Sequence, residues 1–364
     1  MSFDLSRVDQ WREWSPETVR FCEDFCRNSS VPKYILGRNI YAESVIQFVR
    51  VTGFIDDYTK ESFYLGLPVV KSTDVLKHAL VLNVSGGRPL SARTRLNREG
   101  LRNLDYFAFS KASGLPLLPM RFNEGFEAEF LENRAKYEWA YQLLGDLESK
   151  SIFEKIVRFR FDYDISHLEG FSQKEDVQYF EDFLALKPEG EIFVDIGAYD
   201  GYTSLEFIKR CPQYQAIYAF EPDQINFHAC CAALHGFPNI HCYPVGLSSS
   251  KATLRFNISG SSSKISDTGS ANIEVERLDD VLDVTPSFLK MDIEGGESAA
   301  IDGGRETIAS GRHGSRLAIS VYHTPGDFWR IPEQILSIRE DYEIYMRHYT
   351  ECIYETVMFF LPRK

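Results

Sequence analysis

The residues with the clearest chemical potential surround a short glycine-containing turn, VDIGAYDG at 194–201. An apolar run ends at Asp195, Gly197 permits a close backbone approach, and a helical pattern begins after Gly201. A loop that cradles phosphates uses unobstructed backbone N–H groups and avoids neighbouring carboxylates. Because Asp195 and Asp200 flank this turn, the pattern favours a cationic ligand over a pyrophosphate.

A further acid, Glu221, ends the next apolar run. A carboxylate at that position can accept hydrogen bonds from both hydroxyls of a ribose, for NAD as well as for other adenosyl ligands. An acid that only caps a loop is the alternative, and the pairing with the first turn favours the ribose role. Pro222 follows Glu221, while Val245 and Gly246 end the third run, where backbone groups usually meet an adenine edge.

A third group of charges lies in LKMDIEGG at 289–296. In an extended strand, Lys290, Asp292 and Glu294 alternate onto one face. Charges at the carboxyl end of a parallel strand lie where ligands bind, and buried charge there must be paired or used. Lys290 and Asp292 are therefore catalytic candidates. An ion pair between Lys290 and an acid is the structural alternative.

His323 ends a further predicted strand and is the other candidate for acid–base chemistry. Imidazole has an ordinary pKa near 6.5, which suits a base at neutral pH. A hydrogen-bonded core histidine is the alternative. Asp292, Glu294 and His323 could also ligate Mg²⁺ or another divalent ion, but no spacing requires it, and the sequence predicts no metal.

These residues need a framework of strands, and the chain shows two such regions. Its 364 residues exceed one ordinary core, so two domains are expected. Apolar runs alternate with helical patterns in both regions, which predicts two α/β units with mostly parallel sheets. The predicted strands are 33–37, 51–57, 68–70, 79–84, 106–109, 191–196, 216–220, 240–245, 288–291 and 317–321, with an antiparallel pair at 343–348 and 356–361.

Helices are predicted at 42–50, 127–149 and 174–186. The predicted domains are a Rossmann-like α/β domain over 1–125, a helical connection over 126–170 and a second α/β domain over 171–364. A serine-rich stretch that begins at 259 and ends at 270 predicts a polar loop, either a hairpin tip or a cover over the substrate.

The composition limits the partners. A net charge of −13 argues against nucleic acid and against an anionic membrane, since both need a basic face. The start of the sequence lacks the pattern of a signal peptide, and no apolar stretch is long enough to span a bilayer. Seven cysteines follow neither a disulfide framework nor a zinc pattern. We therefore expect a cytoplasmic protein with reduced thiols.

Several of these motifs, in this order, resemble the FkbM family of methyltransferases over roughly 151–362. The segments that carry the resemblance are 178–180, 194–201, 220–222, 275–280, 288–295, 321–327, 331–332 and 347–349. The resemblance implies a class I, Rossmann-like fold with a mostly parallel seven-stranded sheet. It also implies S-adenosyl-L-methionine as the methyl donor and O-methylation of a sugar, glycan or related natural product. Tyr199 and Asp200 depart from the small polar pair of many relatives.

The expected roles combine the resemblance with the residue patterns. The donor-binding residues would be Asp195, Gly197, Tyr199, Asp200, Gly201, Glu221, Pro222, Val245, Gly246 and Asp292. The substrate-binding residues would be Gln178, Tyr179, Glu294, Tyr322 and Arg347. Asp292, His323 and Lys290 would be catalytic.

The N-terminal segment, with VTGFIDD at 51–57 and GLPVV at 66–70, is similar to the Rossmann-like domain of PglD-type sugar acetyltransferases. Its phosphate loop keeps only Gly37, which predicts a non-catalytic module for glycan recognition or dimerisation. Two other functions stay open for the whole chain. One is a nucleotide-binding or NAD-dependent sugar-modifying protein, although a G-x-G-x-x-G loop is lacking, and the other is a non-catalytic scaffold.

Overall fold

The computed structural model describes residues 14–257, 264–265, 271–311 and 314–363. The chain forms two compact units. Unit 1 comprises Met1–Glu132, Ile152–Lys174 and Tyr349–Tyr354, and unit 2 comprises Asn133–Ser151, Glu175–His348 and Glu355–Lys364. The start of the chain and most of the serine-rich stretch predicted as a loop lie outside the described residues. The domain boundaries given above stay predictions.

Unit 1 contains a six-stranded sheet in the order β3-β4-β2-β1-β5-β6. Neighbouring strands are parallel except for the antiparallel pair β3–β4. Its strands are β1 (Lys33–Leu36), β2 (Gly53–Ile55), β3 (Phe63–Tyr64), β4 (Leu67–Val70), β5 (Leu80–Asn83) and β6 (Arg102–Asp105). The accompanying helices are α1 (Pro16–Arg27), α2 (Ile40–Ile46), α3 (Pro89–Arg98), α4 (Tyr106–Ala112) and α5 (Phe126–Glu132). All four residues of β5 are buried, and the first three are apolar, as expected for a central parallel strand.

The predicted strand at 106–109 is wrong, because these residues form α4. Asp105 caps this helix by accepting a hydrogen bond from the Ala108 N–H at 3.0 Å. A short apolar run has no period that separates a strand from a buried helix, and the capping acid decides the outcome.

The two long helices predicted in the middle of the chain are also wrong. The first is divided into α5, α6 (Arg134–Leu143) and α7 (Leu147–Asp162), with extended backbone at Leu144. The second is replaced by short 3₁₀ turns, Glu175–Val177 and Asp182–Leu184. Tyr179 and Ala185 have positive φ angles of 70° and 48°, which a continuous right-handed helix does not allow.

Unit 2 is built on a seven-stranded sheet in the order β16-β17-β15-β14-β7-β8-β9. Its strands are β7 (Ile192–Ile196), β8 (Ala216–Phe220), β9 (Ile240–Tyr243), β14 (Phe288–Met291), β15 (Arg316–Ser320), β16 (Tyr342–His348) and β17 (Thr356–Pro362). β17 is antiparallel to both of its neighbours, β15 and β16, and all other neighbouring strands are parallel. The predicted mostly parallel sheet with a final antiparallel pair is confirmed.

The remaining elements of unit 2 flank this sheet. A small second sheet contains β10 (Gly246–Leu247), β11 (Ala252–Asn257), β12 (Lys264–Ile265) and β13 (Ala271–Glu276). The further helices are α8 (Tyr202–Arg210), α9 (Gln224–Leu234), α10 (Leu278–Val281), α11 (Glu297–Gly303), α12 (Arg305–Ala309) and α13 (Asp327–Ile338). Among the described residues, we find no helix with the length and apolar character needed to cross a membrane.

The connections of the large sheet fix where a ligand can bind. From β7 the chain proceeds outward to β8 and β9, and it later returns to place β14 on the other side of β7. Adjacent loops therefore diverge at the carboxyl ends of β7 and β14. Such a switch point is where open α/β sheets bind ligands.

Gly197 joins β7 to the loop at this switch point. Its φ angle is +82°, and a Cβ atom there would lie 1.9 Å from the carbonyl oxygen of Asp292. The Gly197 N–H also donates to the Phe220 carbonyl at 3.0 Å, so the backbone has little freedom to move. Position 197 therefore requires glycine, because the loop after β7 contacts the loop after β14.

We expect Gly197→Ala to lower the free energy of unfolding by about 2–4 kcal/mol, because it combines left-handed strain with displacement of a neighbouring loop. Chemical denaturation would measure the change. Gly87→Ala is the matched control, since a Cβ at Gly87 has nothing within 4 Å. Equal stability of the two variants would contradict the contact.

Candidate active site

A buried ion pair links the two central strands of the large sheet. Asp195 in β7 is the register partner of Lys290 in β14, and Lys290 Nζ lies 3.1 Å from Asp195 Oδ1. Ser204 donates to the other carboxylate oxygen at 2.8 Å, and Lys290 donates to the Gly197 carbonyl at 2.6 Å. The side chains of Lys290 and Asp195 are 3% and 0% exposed. The structural alternative for Lys290 is thus observed, and its catalytic role stays a prediction.

Glu221 holds the turn that follows β7. Its Oε2 accepts the Tyr199 N–H and its Oε1 accepts the Asp223 N–H, each at 2.9 Å. Glu221 is buried, and this burial raises the pKa of its carboxyl group. Tyr199 has a φ angle of 51° and an exposed side chain, and the neighbouring Asp200 is exposed as well. The structure therefore brings together Asp195, Gly197, Tyr199, Asp200, Gly201 and Glu221, and their binding of a donor stays a prediction.

The segment after β9 contributes close packing to the same end of the sheet, although Gly246 belongs to β10 of the small second sheet and not to the predicted third strand. A Cβ atom at Gly246 would lie 3.5 Å from Pro222 Cγ and 3.2 Å from Val275 Cγ1. Gly246 is buried and Val245 is half-buried. Pro222 and Gly246 are therefore neighbours, while any contact of Val245 and Gly246 with adenine stays a prediction.

The prediction that Lys290, Asp292 and Glu294 share one face of a strand is wrong, because only Lys290 lies in the strand. β14 ends at Met291, and Glu294 has a φ angle of 59° that ends the extended alternation. Lys290 consequently reaches Asp195, whereas the carboxylate of Asp292 meets His323. The loop stays attached to the sheet because the Asp292 N–H donates to the Ile196 carbonyl at 3.0 Å.

His323 lies among three carboxylates after β15. Its Nε2 is 3.3 Å from Asp292 Oδ1 and 4.0 Å from Glu294 Oε2, and its Nδ1 is 2.8 Å from Glu297 Oε1. Burial lowers the pKa of His323, but Glu297, Asp292 and Glu294 outweigh this effect and raise it to about 10. In this arrangement the imidazole is charged at neutral pH and cannot accept a further proton.

Four hydrogen-bonding side chains extend this group. The Tyr179 hydroxyl donates to Asp292 Oδ2, and Gln178 Nε2 donates to Tyr179 Oη at 2.8 Å and to Glu355 Oε2 at 2.5 Å. Tyr322 donates to Glu355 Oε1 at 3.2 Å. Burial, together with Asp292 and Glu355, raises the pKa of both tyrosines well above the usual value, so they act as neutral donors. Burial and Asp292 raise the pKa of Glu355 to about 7.

Arg347 belongs to a different set of contacts. Its Nη2 lies 2.8 Å from Asp146 Oδ2, and its Nη1 donates to Ser149 Oγ at 2.9 Å. Its guanidinium also stacks over the Phe183 ring, 5.0 Å from the centroid. The other predicted substrate residues, Gln178, Tyr179, Glu294 and Tyr322, lie in the group around Asp292 and Glu355.

Sequence reasoning missed Glu297 and Glu355. Glu297 is the first residue of α11, where an acid has the ordinary role of complementing the helix dipole. Its spacing from Asp292 in DIEGGE was the available signal. Glu355 is the last residue of the loop between β16 and β17 and has a φ angle of 63°. No local sequence pattern indicates that it belongs to the site. Only the folded sheet brings it beside Gln178 and Tyr322.

Residues 195–349 match the model of the methyltransferase FkbM domain. The whole chain is similar in fold to the crystal structure of methyltransferase FkbM from Methylobacillus flagellatus KT. The TM-score is 0.78 and the sequence identity 22%, with 98% of this chain and 97% of that chain covered. This likeness confirms the predicted α/β, class I methyltransferase fold.

Two further solved structures show weaker similarity. An rRNA methylase from Streptococcus thermophilus has a TM-score of 0.35 and 15% identity, over 50% of this chain and 93% of that chain. Aeropyrum pernix fibrillarin, in complex with natively bound S-adenosyl-L-methionine, has a TM-score of 0.32 and 12% identity, over 48% and 67%. Among curated proteins, no sequence matches the chain. These comparisons do not confirm the resemblance of the N-terminal segment to PglD-type proteins.

We expect Lys290→Met to lower the free energy of unfolding by about 3–5 kcal/mol, because it leaves the Asp195 carboxylate buried without its cation. Adding Asp195→Asn should recover part of this loss, since the remaining charge is removed. Urea denaturation would measure both. Lys209→Met is the control, because Lys209 is exposed and its partner Glu206 keeps a second cation, Arg210. A Lys290→Met variant as stable as this control would show that the buried pair does not hold the strands.

Proposed function

We propose that this chain is an S-adenosyl-L-methionine-dependent O-methyltransferase that acts on a hydroxyl of a sugar, glycan or related natural product. The observation that carries the proposal is the placement of two different polar groups on the two sides of β7. Glu221 and the turn it holds lie on the β8 side, and Asp292 lies on the β14 side. Together with the FkbM domain match, this supports neighbouring sites for a donor and an acceptor.

The residues around Glu221 fit the donor. Each oxygen of the Glu221 carboxylate accepts one backbone N–H, and a carboxylate oxygen can accept a second hydrogen bond. The two hydroxyls of a ribose are suitable donors for these remaining positions. Asp200 and Tyr199 lie exposed on the adjoining turn and would contact the rest of the ligand.

The local charge favours a cationic ligand. Asp200, Glu221 and Asp223 lie at the end of β7 and β8, and the nearby Lys290 is already paired with Asp195. A pyrophosphate would face these carboxylates, whereas an ammonium and a sulfonium would be attracted to them. This is the physical reason to prefer S-adenosyl-L-methionine over NAD.

When bound, S-adenosyl-L-methionine supplies a methyl group that is already activated by its sulfonium. The protein then has to position an acceptor oxygen and remove its proton. Asp292 is the better base, since the charged His323 has no free position for a further proton. His323 and Tyr179 would orient the Asp292 carboxylate by their contacts to its two oxygens.

The group beside Asp292 also suits a polyhydroxylated acceptor. The donors of Tyr179, Tyr322 and Gln178 are used within the group, where they hold the carboxylates of Asp292 and Glu355 in place. Carboxylate oxygens have further acceptor positions, which allow hydrogen bonds from several hydroxyls of one ring. We further propose a cytoplasmic location with no nucleic acid or membrane partner, and we leave a homodimer open.

Calorimetry with S-adenosyl-L-methionine and with NAD, titrated separately, tests the proposed donor. We expect binding of the former alone. Glu221→Ala should weaken that binding by about 10- to 100-fold, because hydrogen bonds to a charged group contribute about 1.5–3 kcal/mol. Glu343→Gln, an exposed acid on β16, is the control. Absence of S-adenosyl-L-methionine binding would overturn the proposal, and normal binding by Glu221→Ala would overturn the ribose assignment.

Asp292→Asn tests the proposed base. We expect it to bind the donor within a few-fold of the original protein, because the Asp292 carboxylate contacts Tyr179 and His323, whereas its backbone carbonyl is the part that meets Gly197. Methyl transfer should fall by about 10²- to 10⁴-fold, as expected for loss of a general base. Labelled donor incubated with glycan extracts would measure the transfer. A variant with undiminished transfer would exclude Asp292 as the base.

A further inference from the structure

We propose that Asp292 and His323, with Glu294 beside them and Glu297 holding the imidazole, form a binding site for one divalent transition-metal cation. One potential ligand atom from each of Asp292, Glu297 and His323 lies within 4.8 Å of the others. In an octahedral shell with metal–ligand distances of about 2.1 Å, neighbouring ligand atoms are about 3 Å apart. The 3.3 Å between His323 Nε2 and Asp292 Oδ1 is close to that spacing.

The orientation of the imidazole indicates where the cation would bind. Nδ1 is directed to Glu297 Oε1 at 2.8 Å, and the same oxygen accepts the Ile293 N–H at 2.9 Å, so Glu297 fixes the ring. Nε2 faces Asp292 and Glu294. Metal-binding histidines usually donate their second ring N–H to a carboxylate in this way. The cation would therefore bind at Nε2, with the carboxylate of Asp292 as its next ligand.

The charges support a cation at this position. Three carboxylates, of Asp292, Glu294 and Glu297, lie within 4.0 Å of one imidazole, which can carry only one positive charge. Glu297 is 1% exposed, and its buried Oε2 has no hydrogen-bond donor among the described residues. Uncompensated buried carboxylates are costly. A divalent cation would offset the excess negative charge.

The neighbouring contacts are of the kind that supports metal ligands. The Tyr179 hydroxyl donates to Asp292 Oδ2, which orients that carboxylate and leaves Oδ1 toward Nε2. The side chains of Asp292 and Glu294 are each 17% exposed, so an ion can reach them from solvent.

The ligand types select the ion. An imidazole combined with carboxylates suits Mn²⁺, Fe²⁺ or Zn²⁺, whereas Ca²⁺ and Mg²⁺ prefer oxygen ligands alone. The ion would replace the Nε2 proton of His323, which is released to solvent, so the imidazole would bind it as a neutral ligand. If the proposed function holds, such an ion would also lie at the acceptor hydroxyl and lower its pKa. This consequence rests on that function, but metal binding itself does not.

The test is titration of the full chain, freed of metal by a chelator, with MnCl₂ and ZnCl₂ separately. Electron paramagnetic resonance counts bound Mn²⁺, and calorimetry measures Zn²⁺. We expect one ion per chain and at least tenfold weaker binding in Asp292→Asn and His323→Gln. Glu297→Gln should weaken binding by about 10- to 100-fold, as expected for loss of the carboxylate that orients a metal-binding histidine. Glu333→Gln, whose exposed carboxylate pairs with Lys136, should bind as the original protein does.

A spectroscopic measurement keeps the proposal testable where a variant fails to fold. Electron spin-echo spectra of Mn²⁺ bound to the original protein should show coupling to an imidazole nitrogen. Failure to bind either ion, no nitrogen coupling, or unchanged binding in folded Asp292→Asn and His323→Gln would overturn the proposal. Donor binding by metal-free protein with no metal uptake would overturn this site alone, whereas metal uptake without donor binding would overturn the proposed function alone.

Discussion

The close approach of the loops after β7 and β14 is the constraint on which the site depends. Two parallel strands bring Asp195 and Lys290 into register, and the loops beyond them touch where Gly197 meets the Asp292 carbonyl. The Asp292 N–H bonds to Ile196, and Lys290 bonds to the Gly197 carbonyl. The proposed donor turn and the proposed base therefore share one rigid backbone junction. A residue larger than glycine at 197 would separate them.

At the same junction, a buried lysine lies close to carboxylates that are proposed to bind ligands. Lys290 forms an ion pair with Asp195 and donates a hydrogen bond to the Gly197 carbonyl, so its charge stabilises the fold beneath the site. The acids above it, Glu221 on one side and Asp292 on the other, form no ion pair with Lys290 and are the groups proposed to face ligands. Glu221 is fixed by two backbone N–H groups, whereas Asp292 is fixed by Tyr179 and His323. One carboxylate is thus anchored by local turns and the other by distant side chains.

The sequence was sufficient for the seven-stranded sheet of unit 2 and for the residues near its glycine turns. The strand runs and the final antiparallel pair follow from apolar periodicity, and Asp195, Gly197 and Glu221 follow from strand ends. It failed where the decisive feature was a single backbone angle. Tyr179 and Glu294 have positive φ values that no residue preference predicts. The first interrupts the helix predicted over 174–186, and the second ends the strand pattern predicted through Glu294.

Glu355 shows why part of the site lies beyond sequence reasoning. It is far from Asp292 along the chain, and it reaches Gln178 and Tyr322 because β17 inserts between β15 and β16. The insertion of β17 also affects the pKa of a neighbouring tyrosine. Glu355 adds another carboxylate near Asp292. Burial, together with these two acids, raises the pKa of Tyr179, so the tyrosine stays protonated and continues to donate to Asp292. A protonated Tyr179 contacts one oxygen of the Asp292 carboxylate and His323 contacts the other, so side chains from distant parts of the chain fix the orientation that a general base requires.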